Sequence, residues 1–450
     1  MRSALLFFLL LIVCLSALIP VVSAFHAGGP GDCSGCHTMH NNYEDESVAG
    51  GAGPGAGPFL LKSPNQSEAC LICHEGTGEQ HFVSSPYTED IGPANFTPGG
   101  DFGWLKNSFR WRPAQGAAAD EYSYGERHGH NIMAPNNGYD ADSTLTAAPG
   151  GAYAAASLHC SSCHDPHGRF RRNSDGTITT DGDIISASGS YSESPDPTPG
   201  NAVGVYRLLA GAGYQPESYT AVTFVNDPPA AVAPLGFNKS EEGADTRVAY
   251  GMGMSEWCAN CHGDFHQDTY ISGLPGQRHP SGNGASLGVG GGPGGARTVA
   301  EIYNAYLSSG NLGGTLTSAY TSLVPFEVGI EDHSVGSYAT LKSVALANVA
   351  GGGPGAAGPT DTANVMCLSC HRAHASGWNS IMRWNTRSEV LAINGVYPGT
   401  ENAPPEAAQG RTLREAETAY YRKPATRFGS SQVVTVSLQR SLCNKCHGKD

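Results

Sequence analysis

The sequence predicts a predominantly irregular fold, with long loops, short α-helices and few strands, wrapped round a core that its side chains alone do not supply. Three observations carry this reading. The 450 residues include 60 Gly and 29 Pro, which break up regular structure, and only 39% are hydrophobic; by itself such a composition points toward disorder. The pentapeptide C-x-x-C-H recurs six times. Between its copies lie GAGPGAGP at 51–58, GVGGGPGGA at 288–296 and GGGPGAAG at 351–358, which read as flexible surface loops.

The chain opens with MRSALLFFLLLIVCLSALIPVVSA, one Arg ahead of a long apolar run that ends in Val22-Ser23-Ala24. Residues 1–24 read as a secretory signal peptide cut before Phe25. The run is about long enough to span a bilayer, but its small-residue ending favours removal. Cys14 follows Val13 rather than a small residue, so it is not read as a lipid-attachment site. Residues 25–450 carry no clear domain boundary and no second apolar run of membrane-spanning length. The expectation is one exported unit without a membrane span.

The recurring motifs are Cys33/Cys36/His37, Cys70/Cys73/His74, Cys160/Cys163/His164, Cys258/Cys261/His262, Cys367/Cys370/His371 and Cys443/Cys446/His447. Two cysteines three positions apart can each form a thioether to one vinyl group of a haem. The histidine that follows reaches the iron from the same side, which makes C-x-x-C-H a c-type haem attachment site. Chance would give roughly 0.01 such motifs in a chain of this composition. A zinc site would pair cysteines without needing a histidine after every second one. A thioredoxin-like pair would occur once, beside a βαβ pattern. Six covalent c-type haems are therefore expected, with six proximal histidines. Each porphyrin adds a large apolar surface, so the haem array serves as the core.

Between the motifs, short helices are expected from Thr298 (TVAEIYNAYLSSG) and Thr412 (TLREAETAYYRK), each with apolar residues at helical spacing after a threonine cap. The stretch from Gly168 to Trp257 holds no Cys or His. It reads as surface wrapping with a few short strands, such as YTAVTFV.

Eleven further histidines remain: His26, His40, His81, His128, His130, His159, His167, His266, His279, His333 and His374. Six suffice for a second axial ligand on every iron; the others would be surface or hydrogen-bonding groups. Methionines do not recur at a fixed place beside the motifs. Bis-histidine ligation is the expected state, with no open coordination position and lower potentials than His/Met ligation gives. Motif context selects His26, His130, His167, His279 and His374 as distal ligands, with His159, His266 and His81 in reserve. The pattern C-H-x-x-H appears in CHTMH, CHDPH and CHRAH, and CHGDFH adds one residue. A residue three or four positions past the proximal histidine lies on the same side of a helical turn, so it cannot cross to the far face of that haem. His40, His167, His266 and His374 must each serve a different haem if they are ligands, and His159 likewise. Such spacings force the haems close together.

The runs FHAGGPGDCSGCHTMH, TPGGDFGW, GHNI, LHCSSCHDPHG, RVAYGMGMSEWCANCH, RHPSGNGA, CLSCHRAHASG and LCNKCHGKD resemble the OmcS-type outer-surface hexahaem cytochromes of metal-reducing bacteria. The likeness spans nearly the whole mature chain in the same order. It implies a loop-rich fold, six bis-His c-type haems, secretion through the periplasm to the outer cell surface, and head-to-tail polymerisation into a filament with one continuous haem stack. In that family the second histidine of the first motif region ligates the fifth-motif haem of the adjacent subunit. Carried onto this chain, His40 would hold the iron attached at Cys367, Cys370 and His371 of a neighbouring copy. The glycine-rich stretches, His128 and His333 fall outside the matching segments.

Without residues 1–24 the chain has 25 Lys+Arg against 40 Asp+Glu, net −15 before any haem carboxylates. That balance disfavours a nucleic-acid partner and suits a soluble secreted protein. Three functional classes are compatible with such a chain. The first is a conducting polymer that carries electrons to redox partners or external acceptors such as metal oxides. The second is a monomeric periplasmic or surface carrier. The third, a multihaem reductase, needs an exchangeable iron site; with ample histidines and no C-x-x-C-K variant, the chain is not expected to be an enzyme.

Overall fold

The computed structural model describes residues 33–38, 42–43, 46–47, 60–78, 81–113, 119–234, 240–242, 248–266, 281–283, 285–288, 298–306, 324–328, 335–347, 359–388, 391–423 and 425. The signal-peptide reading over residues 1–24 lies outside these residues. So does the whole sixth attachment motif, Cys443, Cys446 and His447, and so do the histidines His26, His40, His279 and His333 and the His266 side chain.

Helices are short: α1 (Cys33–Cys36), α2 (Gln66–His74), α3 (Met254–Cys258), α4 (Val299–Tyr306), α5 (Val335–Ala347), α6 (Cys367–Cys370), α7 (Pro405–Ala408) and α8 (Leu413–Ala419). The strands are shorter still: β1 (Asn42–Tyr43), β2 (Glu46–Ser47), β3 (Phe109–Trp111), β4 (Glu121–Ser123), β5 (Arg171–Arg172), β6 (Ile178–Thr179), β7 (Ile184–Ala187), β8 (Asn201–Gly204), β9 (Ala231–Val232) and β10 (Ala249–Tyr250). They pair as β1–β2, β3–β4 and β9–β10, and as one four-stranded sheet in the order β6-β5-β8-β7. In that sheet only β7 and β8 run parallel.

The two helices expected from Thr298 and Thr412 are α4 and α8. Thr298 Oγ1 accepts from the Glu301 N–H at 3.1 Å while Glu301 accepts from the Thr298 N–H at 2.8 Å. Thr412 and Glu415 make the same reciprocal pair, which satisfies two donors that a helix start leaves open. Helix α8 stops at Ala419 because Tyr421 and Arg422 turn to positive φ. The strand expected at YTAVTFV does not form. Its Phe224 exchanges bonds with Gly213 and Tyr214 while Val225 is exposed, so it packs as an irregular segment without a ladder partner. The sheet of this region lies upstream, in β5 to β8. A further helix, α5, carries Tyr338, Leu341 and Ala345 at helical spacing and packs them on β9 and β10.

Apolar packing is divided into small clusters that border the attachment motifs. Trp104, Phe109, Trp378, Trp384, Tyr397 and Tyr420 form one that reaches Cys370. Leu71, Phe102, Ile132 and Tyr139 form another against Cys160. Phe170, Tyr214 and Phe224 form a third against Cys261. Among the described residues no helix is long and apolar enough to cross a membrane.

Candidate functional site

Each described motif is one helical turn. The histidine N–H donates to the first cysteine's carbonyl in His37 (2.7 Å), His164 (3.1 Å), His262 (3.1 Å) and His371 (2.9 Å). His74 closes α2 itself. One turn of this kind keeps both cysteines and the histidine within reach of one planar group. The same reading for Cys443, Cys446 and His447 rests on their identical spacing, since they lie outside the described residues.

The rings are then held from behind. Nδ1 of His74 lies 2.8 Å from the His81 carbonyl, His164 2.8 Å from Arg207, His262 2.7 Å from Pro149 and His371 2.8 Å from Ser380. A carbonyl only accepts, so Nδ1 carries the proton and Nε2 presents its lone pair. A backbone partner on the outer nitrogen is the usual orienting contact of a metal-bound histidine. These carbonyls carry no mark in the sequence, so no pattern could have found them.

Opposite the motif histidines stand other imidazoles. His167 faces His37 with ring centres 6.3 Å apart and planes at 16°. His374 faces His164 at 6.3 Å, and His130 faces His262 at 6.1 Å. Metal–nitrogen bonds of about 2 Å, with roughly 1.1 Å more to each ring centre, put two imidazoles on one metal about 6.2 Å apart. The spacing of these three pairs fits an iron between them. His81 stands at a similar ring-centre distance from His74, 5.9 Å with planes at 80°, but it differs in that its own carbonyl holds the outer nitrogen of His74.

Local turns aim these distal rings. Asp165 accepts from the N–H groups of His167 and Arg169, folding the loop that carries His167. His130 N–H donates to the His374 carbonyl at 2.9 Å, and its Nδ1 donates to the Ala373 carbonyl at 2.7 Å. One backbone pairing thus sets His130 and His374 side by side. Glycine permits two close approaches. A Cβ on Gly100, at φ +95°, would lie 1.8 Å from the Ala375 carbonyl oxygen, and one on Gly151 would lie 1.8 Å from that of Cys261.

Burial lowers the pKa of His374 to about 3 and of His130 to about 4, which keeps the neutral, ligating form of each ring. Burial also lowers His128 to about 3, but that ring is used on both sides. Its Nε2 bonds Ser123 Oγ at 2.8 Å and its Nδ1 the Trp104 carbonyl at 3.1 Å. His128 is therefore a structural histidine two residues from His130. Burial lowers His159 as well, and its Nδ1 meets Ser67 Oγ at 3.1 Å.

The sulfurs, standing where thioethers would be, trace an order. Burial and then Cys73 raise the Cys36 pKa. Cys160, and then burial, raise Cys70. Burial and then Cys261 raise Cys163, and Cys367, then burial, raise Cys258. The motifs therefore adjoin in the sequence 1-2-3-4-5. Around the fifth, Arg372 Nε, Trp378 Nε1 and Trp384 Nε1 are buried donors with no acceptor among the described residues, as fits walls built against a further polar group.

Attachment turns facing paired imidazoles in a loop-built chain mark a multihaem c-type cytochrome. No protein-family model matches the sequence, but a curated relative does. The chain is 46% identical over 446 residues to C-type cytochrome OmcS of Geobacter sulfurreducens, covering 96% of this chain and 95% of that protein. Among solved structures it is similar to the outer membrane cytochrome S filament from Geobacter sulfurreducens, with a TM-score of 0.80, 46% identity, and coverage of 95% of this chain and 100% of that one. A cryo-EM structure of OmcS nanowires from the same organism gives a TM-score of 0.78 at 44% identity over 95% of this chain and 100% of that one. The chain belongs to the OmcS family of c-type cytochromes, electron-transfer proteins with covalently bound haem.

Proposed function

We propose that this chain carries six bis-histidine haems in single file, polymerises head to tail, and conducts electrons along the resulting filament to acceptors outside the cell. Haem supplies reversible one-electron chemistry when bound; the residues supply attachment, ligation and spacing. His37 with His167, His164 with His374, and His262 with His130 would hold the irons of the first, third and fourth haems. Proximal His74, His371 and His447 hold the second, fifth and sixth, the last of them tethered through Cys443 and Cys446. With two histidines on each iron, none would be left open to a substrate, so the chain acts as an electron carrier rather than an enzyme.

The observation that carries the polymer is a progression. The second histidine of the third motif, His167, faces the first motif, and that of the fifth, His374, faces the third. The remaining member of the series is His40, beside the first motif. Continued by the same step, it falls on the fifth motif of the next subunit, as the family resemblance implies. His26 and His279 are then the ligands of the second and sixth haems. Residues 1–24 direct export and are removed, and residues 25–450 act as one unit at the cell surface.

Cryo-electron microscopy of the haem-loaded protein sheared from cells tests this reading. Filaments with His40 on a neighbour's iron are expected, and His40→Ala should leave six attached haems but block assembly. Discrete particles with His40 bound within its own chain would replace the conductor by a soluble carrier.

A further inference from the structure

The second and fourth motifs share a longer pattern, Ser-Glu-x-Cys-x-x-Cys-His: Ser67-Glu68 precede Cys70 and Ser255-Glu256 precede Cys258. Each meets a motif with serine before its second cysteine, Ser162 in the third and Ser369 in the fifth. The contacts repeat. Ser67 Oγ accepts the Cys160 N–H at 3.2 Å, and Ser255 Oγ accepts the Cys367 N–H at 3.0 Å. Glu68 accepts the Asn136 N–H at 2.9 Å, and Glu256 accepts the Asn283 N–H at 2.8 Å. Ser162 Oγ accepts the His159 N–H at 2.9 Å, and Ser369 Oγ accepts the Met366 N–H at 3.1 Å. At both places the leading cysteine of the later motif raises the pKa of the earlier one's.

Ser67 and Ser255 are fully buried. Sliding one attachment turn over the other would leave a cysteine N–H orphaned away from water, which costs free energy. Each hydroxyl therefore pins two attachment turns to one another at the point where their first cysteines meet.

We infer that these joints are one repeated positioning device, which sets the distance and tilt between the groups attached at the second and third motifs, and at the fourth and fifth. The inference rests on the haem reading above. Ser67 and Ser255 are positioning residues, since they act through the cysteine backbone. Arg440 stands three residues before Cys443 and Gly35 replaces serine in the first motif, so the junction proposed between subunits is made without the device.

The test uses the full-length, haem-loaded protein with Ser67→Ala or Ser255→Ala. Mass spectrometry reports attachment and Soret-region circular dichroism reports coupling between neighbouring haems. Full loading with an altered Soret signal is expected, and Ser→Thr, which keeps the hydroxyl, should restore the parent signal. Fully loaded alanine variants with the parent signal would overturn the joint. Parent protein lacking haem at Cys258 and Cys261 would instead sink the haem reading itself. Hydrogen exchange on the unaltered protein needs no variant: the Cys160 and Cys367 amides should exchange at least about tenfold more slowly than those of exposed turns. Rapid exchange at both would also overturn the joint.

Discussion

Replacing Glu327 by Gln should flatten the dependence of stability on pH. Glu327 is fully buried, accepts the Met254 N–H at 3.0 Å where α3 begins, and meets Asn364 Nδ2 at 3.5 Å. Burial first, and then the neighbouring Glu256 carboxylate, raise its pKa from 4.5 to about 8. Because the folded-state value lies above the unfolded one, the native chain keeps a proton that the unfolded chain releases between them. Stability is therefore fully present below about pH 4.5 and falls as pH rises through about 8. At 1.36 kcal/mol per pKa unit, the loss reaches about 4–5 kcal/mol by pH 9. Gln keeps the acceptor for Met254 and does not ionise. Urea unfolding of the haem-loaded protein, followed by far-ultraviolet circular dichroism at pH 5 and 9, should show the variant gaining about 4 kcal/mol on the parent between the two. Parallel pH profiles would refute the reasoning.

His130→Ala should leave one haem high-spin by electron paramagnetic resonance, whereas His128→Ala should cost about 2–4 kcal/mol through a cavity and lost buried hydrogen bonds with no change of spin state. Gly100→Ala should push the Ala375 backbone away and carry His374 with it, giving a high-spin marker in resonance Raman spectra. Thr412→Ala removes the cap of α8 and should lower stability by about 1 kcal/mol in thermal unfolding, leaving the haem spectra unaltered.

Much of the site was legible because its chemistry is written as contiguous pentapeptides. Cysteine and histidine must lie within one turn to reach one haem, so spacing alone locates the attachment points. The second ligands have no such local constraint. His128 and His130 share the segment ERHGHNI, yet Ser123 and Trp104 occupy both nitrogens of the first, while Ala373 orients the second toward His262. Those partners come from elsewhere in the chain, and nothing near the histidines announces them. Serine at Ser67 and Ser255 was equally visible, but its meaning depended on which motif each one meets.

Sequence by itself determined the loop-rich character, the two threonine-capped helices and the rule that a C-H-x-x-H histidine, where it ligates an iron, must serve another haem, because each follows from local geometry or composition. Tertiary structure alone decided that His167 faces His37, that His374 faces His164, and that the sheet forms at β5 to β8 rather than at Tyr219–Val225. Those outcomes depend on contacts between segments far apart in the chain. A strand needs a partner ladder and a distal ligand needs an opposing ring, and neither requirement can be met within a single stretch of sequence.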